Sequence, residues 1–132
     1  MAANVQETSE QYKTSEELSL LRNSLKKIAV EAWRLERMLA KLLSTLDCKE
    51  QSRYASKIRW FVKSTYTALD EAGLKLVDYE GHPYDSGIPA TPINLDDFAE
   101  VDVLYISQMI ETIIIDSNGN VVHTGTVSLQ KK

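Results

Sequence analysis

An α+β fold, with a long N-terminal coiled-coil helix, a helical hairpin and a small C-terminal β-domain, is what this sequence predicts. Three observations carry the prediction. Apolar residues at Leu18, Leu21, Leu25, Ile28, Ala32, Leu35, Leu39, Leu42 and Leu46 alternate in steps of three and four without a slip. A second, shorter helical pattern follows almost at once, and after Gly73 the hydrophobic period changes from helical to two.

The first element is set by that seam. A narrow row of a and d positions is what two helices need to keep facing each other over many turns, whereas a helix on a globular core carries a wider stripe. Thr14 followed by Glu17 reads as a capping box, with Glu16 also placed well against the helix dipole, so a helix is expected from Ser15 to about Asp47. At about 1.5 Å per residue the stretch to Leu46 would be roughly 48 Å long. A globule of this chain length has a radius of gyration of only about 14 Å. The rod therefore calls for a second chain, with Leu18, Leu21, Leu25, Ile28, Leu35, Leu39, Leu42 and Leu46 as the dimer interface. From Trp33 onward, Met38 and Leu43 widen the stripe, which fits a coil opening into a dimeric four-helix bundle.

Upstream, residues 1–13 are polar and aperiodic and read as a disordered N-terminus. Downstream, Cys48 to Gln51 is short enough to force an antiparallel hairpin. The second helix is expected from about Ser52 to Ala72, with Tyr54, Ile58, Phe61, Thr65, Leu69 and Ala72 on one face. Gly73 supplies its left-handed C′ residue and Leu74 the apolar clasp behind it. Residues 14–73 thus form the dimerisation domain and 74–132 the β-domain.

Within the β-domain, Lys75 to Tyr79, Val101 to Ser107, Ile113 to Ile115, Val121-Val122 and Thr126 to Gln130 read as strands of a mainly antiparallel sheet. Asn118-Gly119 between two β-branched runs is a hairpin signal. Pro83, Pro89 and Pro92 favour an irregular crossing between the first two strands.

The chain has 132 residues, a formal charge of −4 and a single cysteine, Cys48. The acidic balance argues against a nucleic-acid partner, since phosphate contacts need a basic excess. The sequence offers neither a secretory leader nor a membrane span, which leaves the cytoplasm as the expected location. Asp116-Ser117-Asn118-Gly119-Asn120 mimics a calcium loop, but its sixth position is Val121 and its twelfth Val127, so it reads as a turn. His82 and His123 lack further ligands at metal spacing, and there is no phosphate loop, nucleophile elbow or triad. Neither catalysis nor a cofactor or metal is expected. Trp33, Trp60 and Phe61 read as core or interface aromatics, and the acids Asp96, Asp97 and Glu100 as a solvated loop.

Three stretches in register resemble the GrpE family of nucleotide exchange factors. Leu42-Leu43-Ser44-Thr45-Leu46-Asp47 is similar to the family's LLPVLD segment. Leu69 to Leu74, followed by Glu80-Gly81-His82-Pro83-Tyr84-Asp85, resembles its LxxxGV…xGxxFDP run, and Val101 to Leu129 looks like its closing β-domain. The resemblance implies a homodimeric cochaperone that promotes ADP release from a DnaK-type chaperone ATPase. By the same resemblance Gln108, Met109, Asn120 and Leu129 on the β-domain, with Arg22 and Lys26 on the stalk, would bind that partner. Departures are local: Ser86 to Ala90 lacks the family's His-Glu pair, Lys57 stands where a glycine is common, and His123 replaces a basic residue. These losses leave an alternative, a dimeric structural adaptor that keeps the scaffold without exchange activity.

Overall fold

A computed structural model describes residues 2–132, with side chains from Thr14 onward. Helix α1 spans Ala2–Leu43 and α2 spans Cys48–Glu71, followed by strands β1 (Leu74–Val77), β2 (Ala90–Pro92), β3 (Leu104–Glu111), β4 (Ile113–Asp116), β5 (Val121–His123) and β6 (Gly125–Lys131). The α+β class expected from the sequence is the one observed. The disordered N-terminus expected for 1–13 falls on residues whose side chains lie outside the described ones.

Helix boundaries differ from the expected ones at three places. Thr14 is an interior residue of α1, not its cap, because the upstream Glu, Gln and Lys residues are themselves good helix formers. At the other end α1 stops at Leu43, with Thr45 and Leu46 in a turn whose N–H groups donate to Leu42 and Leu43. Leu46 therefore lies outside the helical seam. The cause is Asp47, which caps α2: its Oδ1 accepts the Glu50 N–H at 2.9 Å. Cys48 to Gln51, expected as the connection, is the first turn of α2, and Cys48 is exposed there.

The C-terminal end of α2 follows the expected chemistry. Gly73 has φ +80°, the conformation a left-handed helix terminus requires, and its N–H donates to Asp70 at 2.9 Å. Leu74 folds back and is buried beside Leu69. These two residues flank Gly73 and share one cluster, so the helices and the sheets are packed together across the expected boundary.

The strands form two three-stranded sheets rather than one. In the order β1-β4-β5 all pairs are antiparallel; in β2-β6-β3 the β2–β6 pair is parallel and β3–β6 antiparallel. Strand β2 was not expected, since Pro89 precedes it and Pro92 ends it, but Ala90 to Pro92 lie on the sheet's edge, where a missing N–H costs no ladder bond. Strand β3 starts three residues later than expected because Asp102 closes a turn, its Oδ2 accepting the Ala99 N–H at 2.9 Å. Ile113 and Ile114 point to opposite sides of β4. Ile113 enters the core with Ile106, Met109, Val127, Leu129 and Trp33, while Ile114 meets Ala29, Val30, Leu69 and Leu74.

The β4–β5 hairpin is present but tighter in a different way than Asn118-Gly119 alone implies. Asp116 N–H donates to Asn120 and Gly119 N–H to Asp116, leaving three loop residues with only Gly119 at positive φ, +83°. That is a three-residue loop ending in a left-handed glycine rather than a two-residue turn with both residues left-handed. Asp116 Oδ1 also accepts the Asn118 and Asn120 N–H groups at 2.9 Å, so the loop that mimics a calcium site uses its acid to hold its own backbone.

Candidate functional site

Helix α1 presents two faces, and the candidate site is built on the contrast between them. The first carries Arg22, Lys26, Ala29, Val30, Trp33 and Arg37, spaced by three and four so that they fall on one side. Ala29, Val30 and Trp33 are buried there against the β-domain. Basic side chains bordering this apolar strip tie the β-domain down. Arg34 Nη2 reaches Glu111 Oε1 at 2.7 Å, and Arg37 Nη2 reaches Glu80 Oε1 at 2.5 Å, with the Arg37 guanidinium also 4.7 Å from the centre of the Trp33 ring. Glu80 Oε1 further accepts the Met109 N–H at 2.9 Å. Burial pushes the Glu80 carboxyl up, but the Met109 N–H and Arg37 outweigh it and hold the group below its ordinary range. On α2, Tyr66 donates its hydroxyl to Glu36 of α1; burial, and then that carboxylate, push the phenol above its ordinary value.

The second face carries part of the leucine seam, and the described chain does not cover it. Leu21, Ile28, Leu35 and Leu42 are strictly seven apart and are 66%, 60%, 41% and 56% exposed. Leu18 is exposed with them, and Met38 extends the row. The other half of the seam turns inward: Leu25, Ala32 and Leu39 are half-buried, and Leu25 packs on the cluster around Leu74. Half of what sequence periodicity presents as one seam is thus spent within the chain, and half remains open to solvent. Trp33 and Trp60, read together from the sequence, part company: Trp33 is in the β-domain core and Trp60 is 72% exposed on α2.

Of the residues the resemblance assigns to partner binding, Gln108 and Asn120 are exposed on the β-domain surface. Met109 and Leu129 are not: at 1% and 3% exposure their side chains fill the core of the β-domain. Leu129 follows the plain alternation of β6, and the register of β3 explains Met109. A bulge between Ile106 and Gln108 puts both Ile106 and Met109 inside and throws Gln108 outward, which strict alternation would not do. Arg22 and Asn120 come together through the hairpin, since Asp116 Oδ2 lies 3.9 Å from Arg22 Nη2 while Oδ1 takes the Asn120 N–H. Lys26 is half-buried and lines a small cavity of about 160 Å³ with Arg34, Glu111 and His123.

His123 Nε2 is buried, 3.5 Å from Glu111 Oε2, and His82 stacks edge-on to Tyr79 with ring centres 5.6 Å apart. The two histidines lie in different surroundings, and no group of acids, histidines and cysteine among the described residues could hold a metal ion. No described helix is long and apolar enough to cross a membrane. What the arrangement offers is a β-domain packed on and ion-paired to one side of a helix whose other side is apolar and open.

The bolts were not legible in the sequence. Arg34 and Glu111 are 77 residues apart and Arg37 and Glu80 are 43 apart, so no local pattern pairs them. A signal was available only in hindsight, as arginines at an i,i+3 spacing beside Trp33. No family model, curated protein or solved structure matches this chain.

Proposed function

We propose that the chain is a GrpE-like cochaperone that acts as a homodimer in the cytoplasm and promotes ADP release from a DnaK-type chaperone ATPase. The observation that carries this reading is the two-faced helix. An outward row of Leu21, Ile28, Leu35 and Leu42 calls for a second copy as cover, and a β-domain fixed to the neighbouring face would be held at a set angle to that pair. The four-helix bundle would form from α1 and α2 of both chains, with Trp60 and Tyr54 as further apolar surface for it. Exposed Gln108 and Asn120, with Arg22 beside the hairpin, are the residues proposed to meet the ATPase.

The mechanism is one of linkage. A factor that binds the open nucleotide cleft better than the closed one weakens ADP binding, and ADP weakens the factor's binding by the same ratio. Rigidity matters here, because a β-domain swinging freely on the helix would spend its binding energy on being ordered rather than on opening the cleft.

A dimeric adaptor without exchange activity is the second reading, favoured by Ser86 to Ala90, which lack the family's His-Glu pair and lie just before and within β2. Release of a fluorescent ADP analogue from the DnaK-type ATPase of the same cell separates the two. Exchange predicts release accelerated at least tenfold by the saturating dimer; measurable binding with unchanged release leaves the adaptor.

A further inference from the structure

We propose that the groove at the Leu104 end of β3 is a docking site for a short partner segment in which basic side chains alternate with branched apolar ones. The groove holds about 560 Å³ and lies between the Pro83–Asp85 segment and the loop from Leu95 to Val103. It sits apart from the bolted edge of the β-domain: Leu104 begins β3 and Glu111, paired with Arg34, ends it, roughly 20 Å along at about 3.3 Å per residue.

Two independent properties point to the same occupant. The first is apolar surface with no cover. Tyr84 and Phe98 are half-buried in the walls, while Leu95 and Val103 stand 45% and 64% exposed beside them, so the apolar lining is continuous from the walls to the rim. The second is charge of one sign. The lining contains Asp85, Asp96, Glu100 and Asp102 and no basic side chain. Asp85 is engaged with the Gly87 N–H of its own turn, and Asp102 with the Ala99 N–H and with Lys131 Nζ at 3.2 Å. Among the described residues no lysine or arginine is paired with Asp96 or Glu100.

The chain itself shows which group this rim accepts. Its C-terminal strand pairs with the Leu104 end of β3, with Lys132 N–H donating to Val103 at 3.0 Å and Lys131 seated on Asp102 at 3.2 Å. A second ammonium or guanidinium beside Asp96 and Glu100 completes the same pattern, and aliphatic neighbours on the incoming segment cover Leu95 and Val103. An acidic segment is repelled, and a purely polar one leaves Leu95 and Val103 wet. The site does not depend on the exchange reading, since the surface proposed for the ATPase is the hairpin and Gln108.

Fluorescence anisotropy with a labelled octapeptide of alternating lysine and valine tests the proposal on the full-length chain, with glutamate–valine and lysine–serine octapeptides as comparators. Saturable binding of the lysine–valine peptide is expected, at least tenfold tighter than either comparator. The double variant Asp96→Asn, Glu100→Gln should weaken it at least fivefold, and Val103→Ser at least threefold. No saturable binding, equal binding of either comparator, or unchanged affinity in both variants would overturn the proposal. Should Val103→Ser lose its fold by circular dichroism, NMR shift changes in the unaltered chain decide: confinement to residues 83–104 supports the site, and changes centred elsewhere refute it.

Discussion

Glu80 shows how much of this fold rests on single side chains far from one another in sequence. One oxygen serves both the Met109 N–H and the Arg37 guanidinium, so it joins a bulged strand of the core sheet to the long helix. Glu80→Ala leaves the Met109 N–H without its acceptor and should cost about 1–2 kcal/mol in urea unfolding. Glu80→Gln keeps an acceptor and should cost less. The same residue sets a pH dependence. Its folded pKa lies below the ordinary 4.5, so its stabilisation is fully present above that value and is lost as pH falls through the folded pKa. Acid unfolding of Glu80→Gln should therefore be shallower below pH about 4.5 than that of the unaltered chain; superimposable acid limbs would contradict the pairing.

Elements in this chain are defined at their ends more sharply than in their middles. Asp47 caps α2, and Asp47→Ala should destabilise by about 1 kcal/mol in thermal or urea unfolding. Gly73 has φ +80°, and a Cβ built on it would lie 2.9 Å from Ser117 Oγ of the β4–β5 loop, an exposed hydroxyl that can rotate away. Gly73→Ala should cost about 1 kcal/mol through backbone strain at this positive φ; a neutral effect in urea unfolding would contradict it. Gly73 and the hairpin glycine were legible in sequence because a left-handed residue is a local demand with a local answer. The start of α1 was not, because a capping box at Thr14 marks a helix only where the preceding residues resist one. Nor was β2, because prolines argue against a strand in general but not at a sheet edge. The bulge in β3 was equally silent: nothing in Ile106-Ser107-Gln108-Met109 announces which residue will be extra, and so nothing announces that Met109 turns inward.

Across the whole molecule, heptad periodicity proved to be a statement about two surfaces. Leu18, Leu21, Leu25, Ile28, Ala32, Leu35, Leu39 and Leu42 read as one seam, yet the chain uses Leu25, Ala32 and Leu39 partly for itself and leaves Leu21, Ile28, Leu35 and Leu42 outside. A sequence pattern reports that apolar residues recur at a helical spacing; it does not report which neighbour covers them. The distinction decides how the proposed dimer is tested. Leu25 touches the cluster around Leu74, so a charge there would damage the monomer as well as the interface. Leu21 and Ile28 are more than half exposed and can be changed without touching the chain's own core. Each is worth about 1.5–3 kcal/mol when fully buried by a partner, and a buried aspartate reverses the gain. Sedimentation equilibrium is therefore the most direct measurement of the account. The unaltered chain should sediment at twice its 14.9 kDa mass, and Leu21→Asp, Ile28→Asp at 14.9 kDa with its circular dichroism spectrum retained. A single-chain mass for the unaltered protein at tens of micromolar, or a double variant that stays paired, would contradict it.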